Sequence, residues 1–167
     1  MKEPVLVLIK PDGISKGLTG PIFTKFSQAE LEIIGIKIAQ SRRDVIEEHY
    51  SHLRGQPFFD EVIEYLMGTG YKQKKLMAVV YFGVDAIKKC RAIAGATNPE
   101  EARPNSIRGS FGRIKTDGLF ENVVHVSSNK SEAKREIRLW FSPDEITRPI
   151  YPTKPATKPP MQTKEWK

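Results

Sequence analysis

Hydrophobic positions follow two periods along the chain. Residues 4–10, PVLVLIK, are an aliphatic and β-branched run that stops at Pro11, the pattern of a short buried strand. After the loop PDGISKG, Ile22, Phe23 and Phe26 recur at helical spacing within GPIFTKFSQAE. LEIIGIKIAQ (31–40) alternates Ile34, Ile36 and Ile38 with Gly35 and Lys37, which predicts a second strand with those isoleucines on one face. Two helical stretches follow, RRDVIEEHYSHLRG and PFFDEVIEYLMG. KLMAVVYF (75–82) predicts a third strand and VDAIKKCRAIAG another helix. Residues 96–121 have no clear period and are expected to form one long loop, which suits a compact domain only if the loop is functional. It holds Arg103, Arg108 and Arg113. NVVHVSS and SEAKREIRLWF then predict a closing strand and helix.

The order β-α-β, helices, β-α-β predicts an α+β fold: a ferredoxin-like split-βαβ sandwich, with an antiparallel four-stranded sheet covered by helices. A length of 167 residues suits one domain able to fold without metal or disulfide staples. The domain is expected over 1–147, followed by a basic Pro/Lys-rich tail, 148–167, too poor in apolar residues to bury and read as an extended, unpacked arm. That tail holds part of the net charge of +7, so the charge alone does not argue for nucleic-acid binding. The single cysteine, Cys90, excludes an internal disulfide and suits a reducing compartment. The apolar run before Lys10 is too short for a secretion signal or a membrane span, so a cytoplasmic protein is expected.

Some charges fall where hydrophobes belong. At 3.6 residues per turn, Ala133, Ile137, Leu139 and Trp140 share one side of the last helix, and Glu136 lies inside that stripe. A buried carboxylate needs a partner. Arg91 projects between Val84 and Ile87 on the helix before the long loop, inward by the same reasoning. Alternation in NVVHVSS places Val123, His125 and Ser127 on one face, Val124 and Val126 on the other. A histidine with a hydroxyl and a carboxylate to orient it has the parts of an activated nucleophile or base. His49 lies between Val45 and Leu53 on a helix stripe and reads as a packing residue, as does Cys90.

Seven motifs stand in one order: IKPDG (9–13), EEHY (47–50), PFF (57–59), TNP (97–99), IRG (107–109), NVVHVSS (122–128) and EIRLWF (136–141). In this order, from Val5 to Ile146, the chain resembles the nucleoside diphosphate kinases. The resemblance implies transfer of the γ-phosphate of ATP or another nucleoside triphosphate to a nucleoside diphosphate, through a phosphohistidine, in support of nucleotide synthesis. His125 matches the phosphorylated residue, with Ser127 and Glu136 as its supports and Lys10 and Tyr50 near the transferred group. Arg91, Thr97 and Arg108 match the phosphate-binding set, Phe58 the aromatic that stacks on the base, and Asn122 the residue that contacts the sugar. Mg²⁺ is implied as a cofactor held mainly by the nucleotide phosphates, with no protein ligands of its own. A homo-oligomer, hexameric or tetrameric, is implied as well.

The chain contains no G-x-x-x-x-G-K-[ST] loop, so side chains must hold the phosphates. Transfer of a phosphoryl group mainly needs an aligned nucleophile and positive charge around the equatorial oxygens. The chain also departs from the family pattern. RGS replaces the usual RGD at Ser110, and VSS replaces GSD at Val126 and Ser128. Ser128 is expected to cap the last helix. Losing two acids leaves the groove more positive. YKQKK (71–75) and IKTDGLF (114–120) look like short insertions. The alternative reading is a nucleotide- or single-stranded nucleic-acid-binding protein on the same fold without turnover. A third, a docking domain without catalysis, rests only on the tail.

Overall fold

A computed structural model describes residues 1–156. Strand β1 (Lys2–Ile9) leads into the short helix α1 (Pro11–Ser15) and helix α2 (Thr19–Ser27). Strand β2 (Glu32–Gln40), helix α3 (Arg43–His49) and helix α4 (Phe59–Met67) come next, then β3 (Lys75–Val84) and α5 (Ala86–Ala94). The expected long loop is partly structured. It carries α6 (Ile107–Phe111) and a small hairpin of β4 (Arg113–Ile114) and β5 (Phe120–Glu121). Elements this short fall below the windows in which periodicity shows. Strand β6 (Val124–Val126) and α7 (Lys130–Trp140) close the domain.

The main sheet has the order β2-β3-β1-β6, every pairing antiparallel, as the split-βαβ reading predicts. Both faces are covered, which is why β1 reads as a continuous apolar run. Val5, Val7 and Ile9 join a core with Ile22, Phe26, Ile87 and Cys90, while Leu6 and Leu8 join another with Ile46, Ile63, Leu66 and Trp140. Burying one such side chain contributes roughly 1.5–3 kcal/mol.

Two alternations differ from expectation. A bulge between Ile33 and Gly35 shifts the β2 register, so Ile34 is buried while Ile36 and Ile38 are 52% and 53% exposed. Val123 has φ +56°, which turns it out of the strand pattern and into the core with Val124 and Val126 rather than beside His125. Val84 is 48% exposed at the end of β3, not part of the α5 stripe. Asn129, not Ser128, caps α7, accepting from the Glu132 amide at 3.0 Å.

The start of the tail is also packed. Ile150 and Tyr151 lie against the core that contains Trp140, and Arg148 pairs with Glu32 at 2.9 Å. The Thr147 amide donates to the Ile34 carbonyl at 2.8 Å, next to Gly35, where a Cβ would lie 2.8 Å from Ile146 Cδ1. The rest of the expected arm, from residue 157, lies outside the described residues.

Candidate active site

The end of β1 and the middle of β6 meet at one point. Lys10 stands at the N-cap of α1 with Pro11 at its first position, so the chain turns sharply there and leaves the lysine at the strand end. The Lys10 amide donates to the Val123 carbonyl at 2.9 Å, and the Val123 amide donates to Asp12 Oδ2 at 3.3 Å. Gly13 permits this approach, since a Cβ there would lie 3.2 Å from the Val123 carbonyl oxygen. A β-branched residue at positive φ costs on the order of 1–3 kcal/mol. These bonds hold it there, two residues before His125.

His125 pairs with Leu8 across the sheet, on the face covered by α3 and α7. Its Nε2 lies 3.0 Å from Glu136 Oε1, and Ser127 Oγ donates to Glu136 Oε2 at 2.5 Å. Ser127 is in turn held by the Leu6 amide, which donates to its Oγ at 3.2 Å. Glu136 is buried, as its place in the α7 stripe predicts. Burial raises its carboxyl above the ordinary range, opposed by His49 and the Ser127 hydrogen bond. Burial, with the nearby charges of Lys10, Arg108, His52 and Arg91, holds the His125 imidazole well below the usual histidine range. The ring is therefore neutral near pH 7, with Nε2–H donating to Glu136 and the Nδ1 lone pair left over.

His49 packs, as expected, with its ring edge-on to His125 at 4.4 Å between centroids. Trp140 Nε1 donates to His49 Nδ1 at 3.0 Å. In the neutral ring, that bond puts the proton on Nε2, 3.8 Å from Glu136 Oε1. His49, His125 and Glu136 are close enough to hold a metal ion. The tautomer argues against it, because the nitrogen facing the group is the protonated one.

A cleft of about 570 Å³ opens in front of His125. Every predicted site residue lines it except Ser127, which lies behind Glu136. Lys10 is buried beside it, donating to Asn122 Oδ1 at 2.6 Å, with its ammonium 5.1 Å from the centre of the Tyr65 ring. Burial and neighbouring Arg108 bring Lys10 down to about 7, against the pull of Asp12. Arg108 is buried too, donating to the carbonyls of Gly95 at 2.7 Å and Val124 at 3.0 Å, while its Nε has no protein partner. Burial lowers it to about 10, so it stays charged at neutral pH. Arg91 lies on the cleft rim and is exposed, so the inward reading of α5 holds for the cleft but not for the core. The Thr97 carbonyl accepts from Asn122 Nδ2 at 2.8 Å. Phe58, just before α4, leaves its ring open to the cleft. Tyr50 packs edge-on to His125 at 5.8 Å, and burial keeps its phenol protonated.

Sequence reasoning missed Tyr65, Leu119, Phe120 and Ser128, which also line the cleft. Tyr65 carried no signal beyond its helix stripe. Leu119 and Phe120 belong to the segment read as an insertion, and that departure from the family pattern was their one signal.

A neutral histidine beside a buried lysine and two arginines, on an antiparallel split-βαβ sheet, defines a site for anionic substrates. Residues 3–146 match the nucleoside diphosphate kinase family, and the chain belongs to that family. A nucleoside diphosphate kinase of Pyrococcus furiosus is 39% identical over 144 residues, which cover 86% of each chain. Nucleoside diphosphate kinase A of Mus musculus is 36% identical, over 86% of this chain and 89% of the mouse protein. The fold superposes with a TM-score of 0.78 on the nucleoside-diphosphate kinase of Borrelia burgdorferi, solved as a transition-state mimic with vanadate and ADP. That protein is 28% identical, with coverage of 87% of this chain and 90% of the other.

Proposed function

We propose that the chain is an active nucleoside diphosphate kinase that moves the γ-phosphate of ATP, or another nucleoside triphosphate, to a nucleoside diphosphate by way of phosphorylated His125. The observation that carries this reading is the division of labour at the imidazole. Glu136 engages Nε2 at 3.0 Å, which leaves Nδ1 as the attacking atom beside the cations of the cleft. As the N–P bond forms and the bond to the leaving diphosphate oxygen breaks, positive charge grows on the ring and Glu136 stabilises it. Lys10, Arg91 and Arg108 offset the charge of the phosphoryl oxygens and the leaving group. Transfer to the second nucleotide reverses these steps. Tyr50 and Thr97 would contact the phosphates, Asn122 the sugar, and Phe58 would stack on any base through its open face.

Mg²⁺ fits as a partner of the nucleotide rather than of the chain. The acids lining the cleft are Glu61 and Glu136, and His125 and Ser127 occupy the latter. Bound to the phosphates, the ion would neutralise their oxygens. A binding protein without turnover is not favoured, because the carboxylate and hydroxyl behind His125 serve no purpose in binding alone. Residues 1–147 are read as the catalytic domain and 148–167 as its basic appendage. A homo-oligomer is supported by β2, an edge strand that leaves Ile36 and Ile38 open. No helix among the described residues is long and apolar enough to cross a membrane. The single buried thiol of Cys90 supports a cytoplasmic setting.

Incubation with γ-labelled ATP should give an acid-labile, alkali-stable phosphoprotein. His125→Ala should abolish the label and lower phosphate exchange between ATP and a deoxynucleoside diphosphate by at least about 10⁴-fold. A wild-type protein that stays unlabelled while a control kinase is labelled would defeat the proposal.

A further inference from the structure

Phosphoryl transfer at His125 gives no part to a second buried carboxylate, Glu121, which lies outside the cleft between two residues that line it, Phe120 and Asn122. Its oxygens collect donors from three separate segments. Lys16 Nζ, from the turn after α1, donates at 2.7 Å, and Arg113 Nε, from β4, donates at 2.5 Å. The third donor is the Tyr71 hydroxyl, from the connection between α4 and β3. Arg113 stands directly opposite Glu121 in the hairpin pairing, so the two side chains share a face. Burial works to raise the Glu121 carboxyl, but the hydrogen bonds from Arg113, Lys16 and Tyr71 bring it down to about 2.

These bonds complete a ring beneath the cleft. Tyr71 packs edge-on to Tyr65 at 6.0 Å, Tyr65 carries the Lys10 ammonium, and Lys10 donates to Asn122, the residue after Glu121. The Gln73 amide adds a tie to Ser15 Oγ at 3.2 Å. On the other side of Glu121, Gly118, Leu119 and Phe120 at the hairpin tip line the same cleft as Phe58. Tyr71 and the hairpin tip come from the two segments that look like insertions. One carboxylate thus joins both to the α1 turn.

We propose that Glu121 is a positioning residue for nucleoside binding: held by Lys16, Tyr71 and Arg113, it fixes the 113–121 hairpin as a wall of the cleft and sets the place of Asn122. The inference rests on the proposed nucleotide site. Its consequence is a separation of effects. Loosening Glu121 weakens nucleoside affinity and leaves the rate at His125, which is supported from Glu136 and Ser127.

Arg113 is 64% exposed, so Arg113→Met removes a donor without opening a core cavity. Tyr71→Phe removes only a hydroxyl, and Glu121→Gln keeps the shape while removing the charge. In the full chain, KM and kcat for GDP at saturating ATP are measured beside the dissociation constant of a fluorescent ADP analogue. With the hairpin wall loosened, KM and Kd should rise roughly 10-fold in Glu121→Gln and in the Arg113→Met, Tyr71→Phe pair. The kcat should stay within about two-fold. Arg113→Lys, which restores a cation, should recover affinity relative to Arg113→Met. Unchanged KM and Kd in Glu121→Gln and in the Arg113→Met, Tyr71→Phe pair, or a loss confined to kcat, would overturn the inference. If wild type fails to label with ATP, the nucleotide reading itself fails; if wild type labels and the variants bind normally, only the role of Glu121 does.

Discussion

Glu136 and Glu121 are equally hidden from water, each 2% exposed, and they are pushed in opposite directions. Burial raises Glu136, which has a serine hydroxyl and neutral imidazoles for company. Glu121 has a lysine, an arginine and a phenol, and falls to about 2. Burial costs both of them, and their partners decide the outcome. Full cations hold Glu121 as a fixed charge that fastens segments together. Glu136 faces groups whose charge changes only when the substrate arrives, so it can respond to that change. The difference separates a carboxylate suited to chemistry from one suited to structure.

Removing the charge of Glu136 should give the largest effect. Glu136→Gln should slow labelling of His125 by about 10²–10³-fold while KM moves little, because the lost interaction grows only in the transition state. A KM effect of similar size would mean that Glu136, like Glu121, acts mainly in binding. Phe58→Ala should raise KM by roughly 10-fold for every base, within the stacking range of about 1–3 kcal/mol, as read from steady-state kinetics with several diphosphates.

Acid unfolding sharpens the contrast. The native Glu121 value of about 2 lies below its ordinary 4.5, so the unfolded chain binds the proton more readily between them. Its stabilisation is complete above about pH 4.5 and is lost as pH falls toward 2. Glu136 is raised, so its contribution has the opposite sign and favours the native state as pH drops through that raised value. Urea unfolding at a series of pH values should show less acid sensitivity in Glu121→Gln and more in Glu136→Gln than in wild type.

The smallest signal is a proton. Lys10 sits near 7 through burial and Arg108, and a bound phosphate would restore its charge. Nucleotide binding at pH 8 should then take up about one proton, seen by calorimetry in buffers of different ionisation heat and missing in Lys10→Met.

Much of the fold and the site is legible in the sequence. The β1 run, the helix stripes and the place of Glu136 inside the α7 stripe come from period alone, because a hydrophobic face has to be buried wherever it lies. Arg91 is harder to place. A stripe shows that a residue points toward the body of the protein, but a cleft and a core look the same from one helix. The bulge in β2 and the positive φ of Val123 leave no mark in the alternation, and both move side chains to the opposite face. The α6 helix and the hairpin are invisible for a different reason: elements of two to five residues are shorter than the windows in which periodicity shows.

By itself, the sequence determined the order of the main-sheet strands and the longer helices, the split-βαβ class and a candidate set of side chains for handling a phosphate, since these depend on local period and on ordered motifs. Only the tertiary structure decided which nitrogen of His125 is engaged, which tautomer His49 adopts and where Lys10 titrates. It also joined Glu121 to Lys16, Tyr71 and Arg113, residues from three separate segments. Distance, burial and hydrogen-bond direction govern those outcomes, and they exist only once segments distant in the chain have met.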